Sequence, residues 1–309
     1  MQETKPCPAC NAPDGRVVYP AVKDPITTER FRIRMCPRCG LAYTETHFTD
    51  ADRFYPKKYR AYGPLVTRIL GLLYDLRVSR WSRLESAGGS VLEIGCGSGL
   101  MLAAFRRRGW RVLGLERNEE AAEIGRRAHG LEISAVPLEK LSRTAPFDLI
   151  VLFNVLEHIG DPVSLLRECT CRLAQNGRLV VVVPNFASWQ ARMAGPQWFH
   201  LDVPRHLVHF TPETLRDTLE RAGLRVTDFR FVSPEHDPYG WVESIISILT
   251  GRSNTLTRFL MSMDPFSPRT LLACVLAALL LPVALILAAA SWIAKRGALM
   301  EATAVAPSA

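Results

Sequence analysis

The sequence predicts an α/β chain built on a doubly wound parallel sheet, with a small metal-organised module before it and a hydrophobic segment after it. Three observations carry that expectation. Between Ser90 and Val232 short β-rich runs alternate with helical stretches, which makes a parallel sheet covered by helices on both faces. Two CxxC pairs, Cys7 with Cys10 and Cys36 with Cys39, stand in the first forty residues. Residues 271–294 form an uncharged apolar run. At 309 residues, with 48% hydrophobic and 22% charged, the chain can bury a substantial core, and disorder is excluded. The net charge of +8 suits an anionic membrane surface or nucleic acid and identifies neither. The start, MQETKPCPAC, lacks a basic stretch followed by an apolar one, so no export signal is expected. The eight cysteines are too unevenly spread for a secreted disulfide framework.

Residues 1–62 read as a zinc ribbon. Each CxxC can present two thiolates from one tight turn, and four thiolates fill a tetrahedral zinc, so the metal would be structural. Short β-like runs follow at Arg16–Tyr19 and Phe31–Met35, and the module ends in FYPKKYRAYG. Its basic residues are sparse, which disfavours nucleic acid as a partner. From Pro64 to Glu85, Val66, Ile69, Leu70, Leu73 and Leu76 recur at helical spacing among arginines, as in an amphipathic helix.

The sheet opens with SVLEIG, whose apolar run ends in the glycine turn Gly95-Cys96-Gly97-Ser98-Gly99 before the helical LMLAAFRRRG. Such a turn lets backbone approach a ligand, and Leu100 stands where a dinucleotide fingerprint needs its third glycine. An NAD-dependent oxidoreductase is disfavoured accordingly. Glu116 closes the second strand, RVLGLE, where an acid can accept hydrogen bonds from both ribose hydroxyls. Strands LEISAV, FDLIVLF, RLVVVVP and LRVTDFRFV follow, with helices between them from Asp161 and Pro212.

With Glu93, the glycine loop and Glu116 in place, the chain resembles the class I S-adenosylmethionine-dependent methyltransferases in LEIGCGSG. It is also similar to their ubiquinone-biosynthesis-like branch in FDLIVLFNVLEHIGDP and NGRLVVVVPN. The zinc knuckles, FYPKKY and WFHLDVPRHLVHFT further resemble bacterial methyltransferases of sugar and surface-polysaccharide pathways. The resemblance implies a Rossmann-like methyltransferase domain over residues 63–236 that binds S-adenosylmethionine through Glu93, Gly95, Cys96, Gly97, Gly99, Glu116, Leu138, Glu139 and Asn154. In it Gly95 and Gly97 line the methionine part, Leu138 and Glu139 lie near the adenine, and Asn154 lies beside the sulfonium.

Methyl transfer from a sulfonium is an in-line displacement, so alignment dominates and a base is needed only where the acceptor loses a proton. Glu157 and His158 follow the fourth strand, at the carboxyl end where open α/β sheets bind ligands. His158 is the first candidate for the base, with Glu157 and His206 beside it; the alternative is that Glu157 and His158 organise the turn before a helix capped by Asp161. His200, His206 and His209 lie within ten residues, and Arg205 and His206 suit a hydroxylated or anionic acceptor. A second metal on His200, Asp202, His206 and His209 competes with a packed loop of hydrogen-bonded histidines.

Residues 237–269 read as a loop-helix connector, 270–296 as a membrane segment and 297–309 as a tail. As one helix, the 24 residues from 271 to 294 would extend about 36 Å and cross a bilayer. Pro282 divides the run into two short halves that suit a bent re-entrant hairpin as the alternative to a single span, and basic residues on both flanks fit both ends staying cytoplasmic. The tail, Gly297–Val305, is then a candidate seventh strand. The expected function is methyl transfer to a small or lipid-linked acceptor, such as a sugar or polyprenyl-linked compound, at the cytoplasmic membrane face. O-methylation of a quinone-type lipid, or a non-enzymatic zinc-ribbon docking protein, are the alternatives.

Overall fold

The structure, a computed structural model, describes residues 6–13, 15–46, 52–54, 63–84, 88–141, 145–261 and 263–307. Most of the FYPKKY stretch lies outside them.

The N-terminal module contributes β1 (Arg16–Lys23), β2 (Arg30–Met35) and β3 (Ala42–Glu45), antiparallel in sequence order. Helix α1 (Pro64–Trp81) follows, shorter than the expected 64–85. The large sheet then alternates as the sequence implies: β4 (Ser90–Ile94), α2 (Leu100–Arg107), β5 (Arg111–Leu115), α3 (Glu119–His129), β6 (Ile133–Ser134), β7 (Phe147–Phe153), α4 (Pro162–Thr170) and β8 (Leu173–Pro184). Only two residues of LEISAV pair, at the sheet edge. Asp161 caps α4 through Ser164 N–H, as expected. Helix α5 (Trp189–Ala194), β9 (Val208–His209), α6 (Pro212–Arg221) and β10 (Arg225–Arg230) lead to the helices α7 (Asp237–Thr250), α8 (Thr255–Leu260) and α9 (Pro268–Ile293), and β11 (Leu299–Val305) ends the sheet.

The seven strands run in the order β10-β11-β8-β7-β4-β5-β6. Strands β4 to β8 pair in parallel, and β11 is antiparallel to both its neighbours, with Leu299 opposite Pro184 and Val305 opposite Arg178. The tail is thus the last strand, wedged between β8 and β10. Its Leu299–Ala304 are all buried, so sheet pairing and packing outweigh the scarcity of β-branched residues in LMEATAV. Glu301 on this strand accepts from Arg77, Arg80 and Trp81 of α1, while Arg77 also pairs with Glu235.

The apolar run corrects one expectation. It is a single α9 that passes through Pro282 without dividing, so the re-entrant bend is not where the chain turns. The turn is made by α7 and α9 packing as a pair, with Ala284 and Ala288 buried against Trp241 and Ile246. Asp237 at the start of α7 ties the far end of α9 back to the sheet, accepting from Trp292 Nε1 and from Leu299 N–H. Helix α9 has a mean hydropathy of 3.0 over its most apolar 18 residues, of which 17% are buried, and Leu271, Leu279 and Ile286 are exposed.

The small module is not a separate body either. Strand β9, from the loop after β8, adds to its sheet beside β3, through Ala42 with His209 and Tyr43 with Val208.

Candidate active site

Three features meet at the carboxyl ends of β4, β5 and β7. The turn after β4 needs its glycines: Gly95 has φ +70° and a Cβ there would lie 2.5 Å from Val155 Cγ2, and Gly99 starts α2 at φ +74°. Glu116 follows β5 and locks that turn, its carboxylate accepting from Gly97 N–H at 2.8 Å and Asn118 N–H at 2.7 Å. The first bond ties Glu116 to the glycine turn and the second to the start of α3, and each carboxylate oxygen can still offer a lone pair outward. Glu93 is buried in β4 with Oε2 lacking a partner among the described residues, and burial, then the nearby Glu116 charge, push its carboxyl up to about 8. Cys96 is buried, and burial raises its thiol far above the usual value, so it packs as an apolar group. Leu138 is buried after β6, in a turn held by Arg172 to its carbonyl at 3.0 Å, whereas Glu139 faces solvent. Asn154, with φ +54°, leaves Oδ1 buried and unpartnered among the described residues at the end of β7.

The second part of the site is a cavity of about 300 Å³ next to that cleft. Asn154, Glu157, His200 and His206 form its polar side, and Ile26, Phe199, Met261 and Met263 form an apolar side. Glu157 is 1% exposed, neither carboxylate oxygen has a partner among the described residues, and burial pushes it up to about 8. At neutral pH it is protonated. His158 and His206 lie edge to face with ring centres 4.7 Å apart. His158 Nδ1 lies 3.0 Å from the Arg205 carbonyl and His206 Nδ1 lies 2.9 Å from the His200 carbonyl. A carbonyl only accepts, so each Nδ1 carries its proton and each neutral ring presents a basic Nε2. Burial lowers both histidines from their ordinary values, which keeps them neutral. His206 Nε2 is 4.0 Å from Glu157 Oε1 and 3.9 Å from Asp202 Oδ2. The site therefore pairs a buried carboxylic acid with two neutral imidazoles, a set suited to moving a proton.

Two expectations about this loop change. Arg205 does not face a ligand: its Nη1 donates to Asp24 at 3.0 Å and to the Phe54 carbonyl at 2.8 Å, and Nε and Nη2 both donate to Asp202. Its positive charge is spent inside the protein, so it offers no free cation to an anionic acceptor. The expected metal set of His200, Asp202, His206 and His209 is not assembled. Thr44 Oγ1 donates to the His206 carbonyl at 2.7 Å and so accepts from His209 Nε2 at 2.9 Å, which leaves that nitrogen without a lone pair. The side chains near enough to share an ion are Glu157, His158 and His206 instead, with ligand atoms within 4.8 Å of one another.

The four N-terminal thiols do converge. Cys7 Sγ lies 3.6 Å from Cys39 Sγ and Cys10 Sγ lies 3.5 Å from Cys36 Sγ, close to the roughly 3.8 Å edge of a tetrahedral zinc-thiolate site and far too long for disulfides. The two knuckles match: Asn11 and Gly40, each just after its CxxC, have φ of 54° and 74° and donate back to Cys7 and Cys36.

Asp24, Thr44, Asn254, Thr257, Met261 and Met263 contribute to the site yet carry no motif; only the folding of the chain brings them there. The raised carboxyls have a consequence for stability. Glu93 and Glu157 bind a proton more tightly folded, at about 8, than at the ordinary 4.5, so their contribution is complete below pH 4.5 and is lost as pH rises through 8. Thermal unfolding should therefore show a midpoint that falls between pH 6 and pH 9, and Glu157→Gln should flatten that fall. An equal slope in the variant contradicts the buried acid.

Comparison with known proteins agrees with this geometry. The family model described as a methyltransferase domain matches residues 67–228. A ubiquinone biosynthesis O-methyltransferase of Xanthomonas oryzae pv. oryzae is 30% identical over 200 residues, covering 59% of this chain and 82% of that relative. Another from Bordetella parapertussis is 30% identical over 191 residues, covering 57% and 75%. Among solved structures, a SAM-dependent methyltransferase from Archaeoglobus fulgidus aligns with a TM-score of 0.49 at 20% identity, covering 76% of this chain and 93% of that one. The family match spans more than half of the chain and follows the alternation, the glycine turn and the acid after the second strand: the protein belongs to the methyltransferase-domain family and is a class I S-adenosylmethionine-dependent methyltransferase.

Proposed function

We propose that the protein methylates a hydroxyl of a lipid-linked or other amphiphilic acceptor at the cytoplasmic face of a membrane. The observation that carries the reading is the cavity beside Asn154, polar along Glu157, His200 and His206 and apolar along Met261 and Met263, in the segment that leads into α9. In this reading Gly95, Gly97 and Gly99 let the backbone approach the cofactor, Glu116 accepts from the ribose hydroxyls, Leu138 and Glu139 border the adenine, and Asn154 lies beside the sulfonium. When bound, S-adenosylmethionine supplies an electrophilic methyl group. The protein holds the acceptor oxygen in line with it and removes a proton through His158 or His206 Nε2, with Glu157 protonated beside them. The relatives named as ubiquinone biosynthesis O-methyltransferases favour a quinone-type lipid among such acceptors. The four thiols of Cys7, Cys10, Cys36 and Cys39 hold a structural zinc, and α9 is the membrane segment, with Arg269 in its first turn and Lys295 and Arg296 just after its end.

The tests are separable. Removing charge-assisted bonds of about 1.5–3 kcal/mol each, Glu116→Ala should weaken S-adenosylmethionine binding roughly a hundredfold in calorimetry while the fold survives; unchanged affinity ends the ribose assignment. His158→Ala should lower transfer of labelled methyl into lipid-extractable material, assayed with purified protein added to membranes lacking it, by roughly two to four orders of magnitude at unchanged cofactor affinity. Near-normal transfer returns His158 to a structural role. Because β11 pairs inside the catalytic sheet, a C-terminal tag should resist external protease in intact cells, and the protein should sediment with membranes unless residues 270–296 are removed. A tag cleaved from outside would replace this arrangement with a single crossing.

A further inference from the structure

The N-terminal module is more than an appendage that the metal folds. Its residues reach the acceptor-side loop at four points. Asp24, fully buried, accepts from Arg205 Nη1 at 3.0 Å, and the Phe54 carbonyl accepts from the same nitrogen. Thr44 bonds both the His206 carbonyl and the His209 ring, and its N–H donates to the Leu207 carbonyl at 2.9 Å. Strand β3 pairs with β9. The turn Pro25–Ile26, ordered by Asp24 accepting from Ile26 N–H at 3.2 Å and Thr27 N–H at 2.7 Å, also forms part of the cavity wall.

On the other side of this loop sit the groups of the proposed chemistry. The Arg205 carbonyl receives His158 Nδ1–H, and the Leu207 N–H donates to the Glu157 carbonyl at 2.7 Å. One loop, 202–209, therefore bonds outward to the four-cysteine module and inward to His158, His206 and Glu157. Strand β2 leads straight into Cys36, and β3 starts three residues after Cys39, so the second knuckle fixes the very strand that carries Thr44.

We propose that the four-cysteine module is the scaffold of the acceptor site, with Asp24 and Thr44 as positioning residues that hold the loop and thereby the orientation of His158 and His206. The glycine turn after β4 packs in the same cores as the module, but it has its own anchor in the Gly97 N–H bond to Glu116. This rests on the reading of the cavity as the acceptor site, but its test reads the loop itself and not turnover, so the two can fail separately: normal transfer in a chain carrying both His158→Ala and His206→Ala would overturn the acceptor reading and leave the scaffold standing.

The test uses the full chain and asks how fast diethyl pyrocarbonate modifies His206, followed by mass spectrometry of the peptide that contains it. In the wild type His206 is buried and should react slowly. In Asp24→Asn or Thr44→Val, zinc should stay at one per chain and S-adenosylmethionine affinity within twofold, while modification of His206 accelerates at least tenfold. Thr44→Ser, which keeps the hydroxyl, should restore the slow rate. Stripping the zinc with a chelator should give the same acceleration, again without loss of cofactor binding. His206 modified at the wild-type rate in both variants and in the stripped chain would overturn the proposal, as would loss of cofactor binding in step with the metal.

Discussion

The insertion of β11 between β8 and β10 is the constraint on which the remaining architecture depends. A C-terminal strand that closes the sheet must begin where α9 ends, and both ends of the α7–α9 pair must then lie on the side of the catalytic domain. Asp237 fixes this by bonding Trp292 of α9 and Leu299 of β11 at once. The same strand carries Glu301, buried, facing Arg77, Arg80 and Trp81 of α1. Such a buried cluster is stabilising only when complete, because removal of one partner strands the opposing charge in a low dielectric, a cost of about 3–5 kcal/mol. The first helix of the methyltransferase domain and the last strand of the chain are thereby ordered together.

With the sheet closed, the division of labour across its carboxyl end becomes physical. On one side, the glycine turn after β4 is held by the Gly97 N–H bond to Glu116 and by glycines that admit no side chain. On the other, the cavity draws walls from four regions of the sequence: the turn at Pro25–Ile26, the ends of β7 and β8, the loop at 199–206, and the segment before α9. Its cations are neutralised, Arg205 by Asp24 and Asp202 and Arg258 by Asp264, so its recognition chemistry lies in a protonated Glu157, neutral histidines and an amide oxygen, with the Asp202 carboxylate as its acidic member and no free cation among the described residues. That balance matches the proposed hydroxyl acceptor better than an anionic one.

What the sequence revealed follows from how local each signal is. The β/α alternation, the glycine turn, Glu116 after the second strand and the two CxxC knuckles are each encoded within a few residues, and the structure places them as expected. Asp161 as a helix cap is of the same kind. Strand β11 was legible only through the expected topology, since LMEATAV has the composition of a helix as readily as a strand and is held by its neighbours. Pro282 misleads because a missing N–H bond need not end a helix whose remaining ladder and α7 contacts persist. Arg205 and His209 look like ligand-facing groups in WFHLDVPRHLVHFT, yet their partners Asp24 and Thr44 lie more than 160 residues away, beyond any local pattern.

The central claim is that the residues after α9 belong to the catalytic sheet. Hydrogen–deuterium exchange on the full chain in detergent measures it directly, by comparing the amides of Leu299–Val305 with those of Leu179–Val183 in β8. Strand β11 bonded on both edges predicts protection of the same order as β8. Exchange of the 299–305 amides at the rate of an unstructured tail, with β8 still protected, would contradict the closed sheet and everything placed by it.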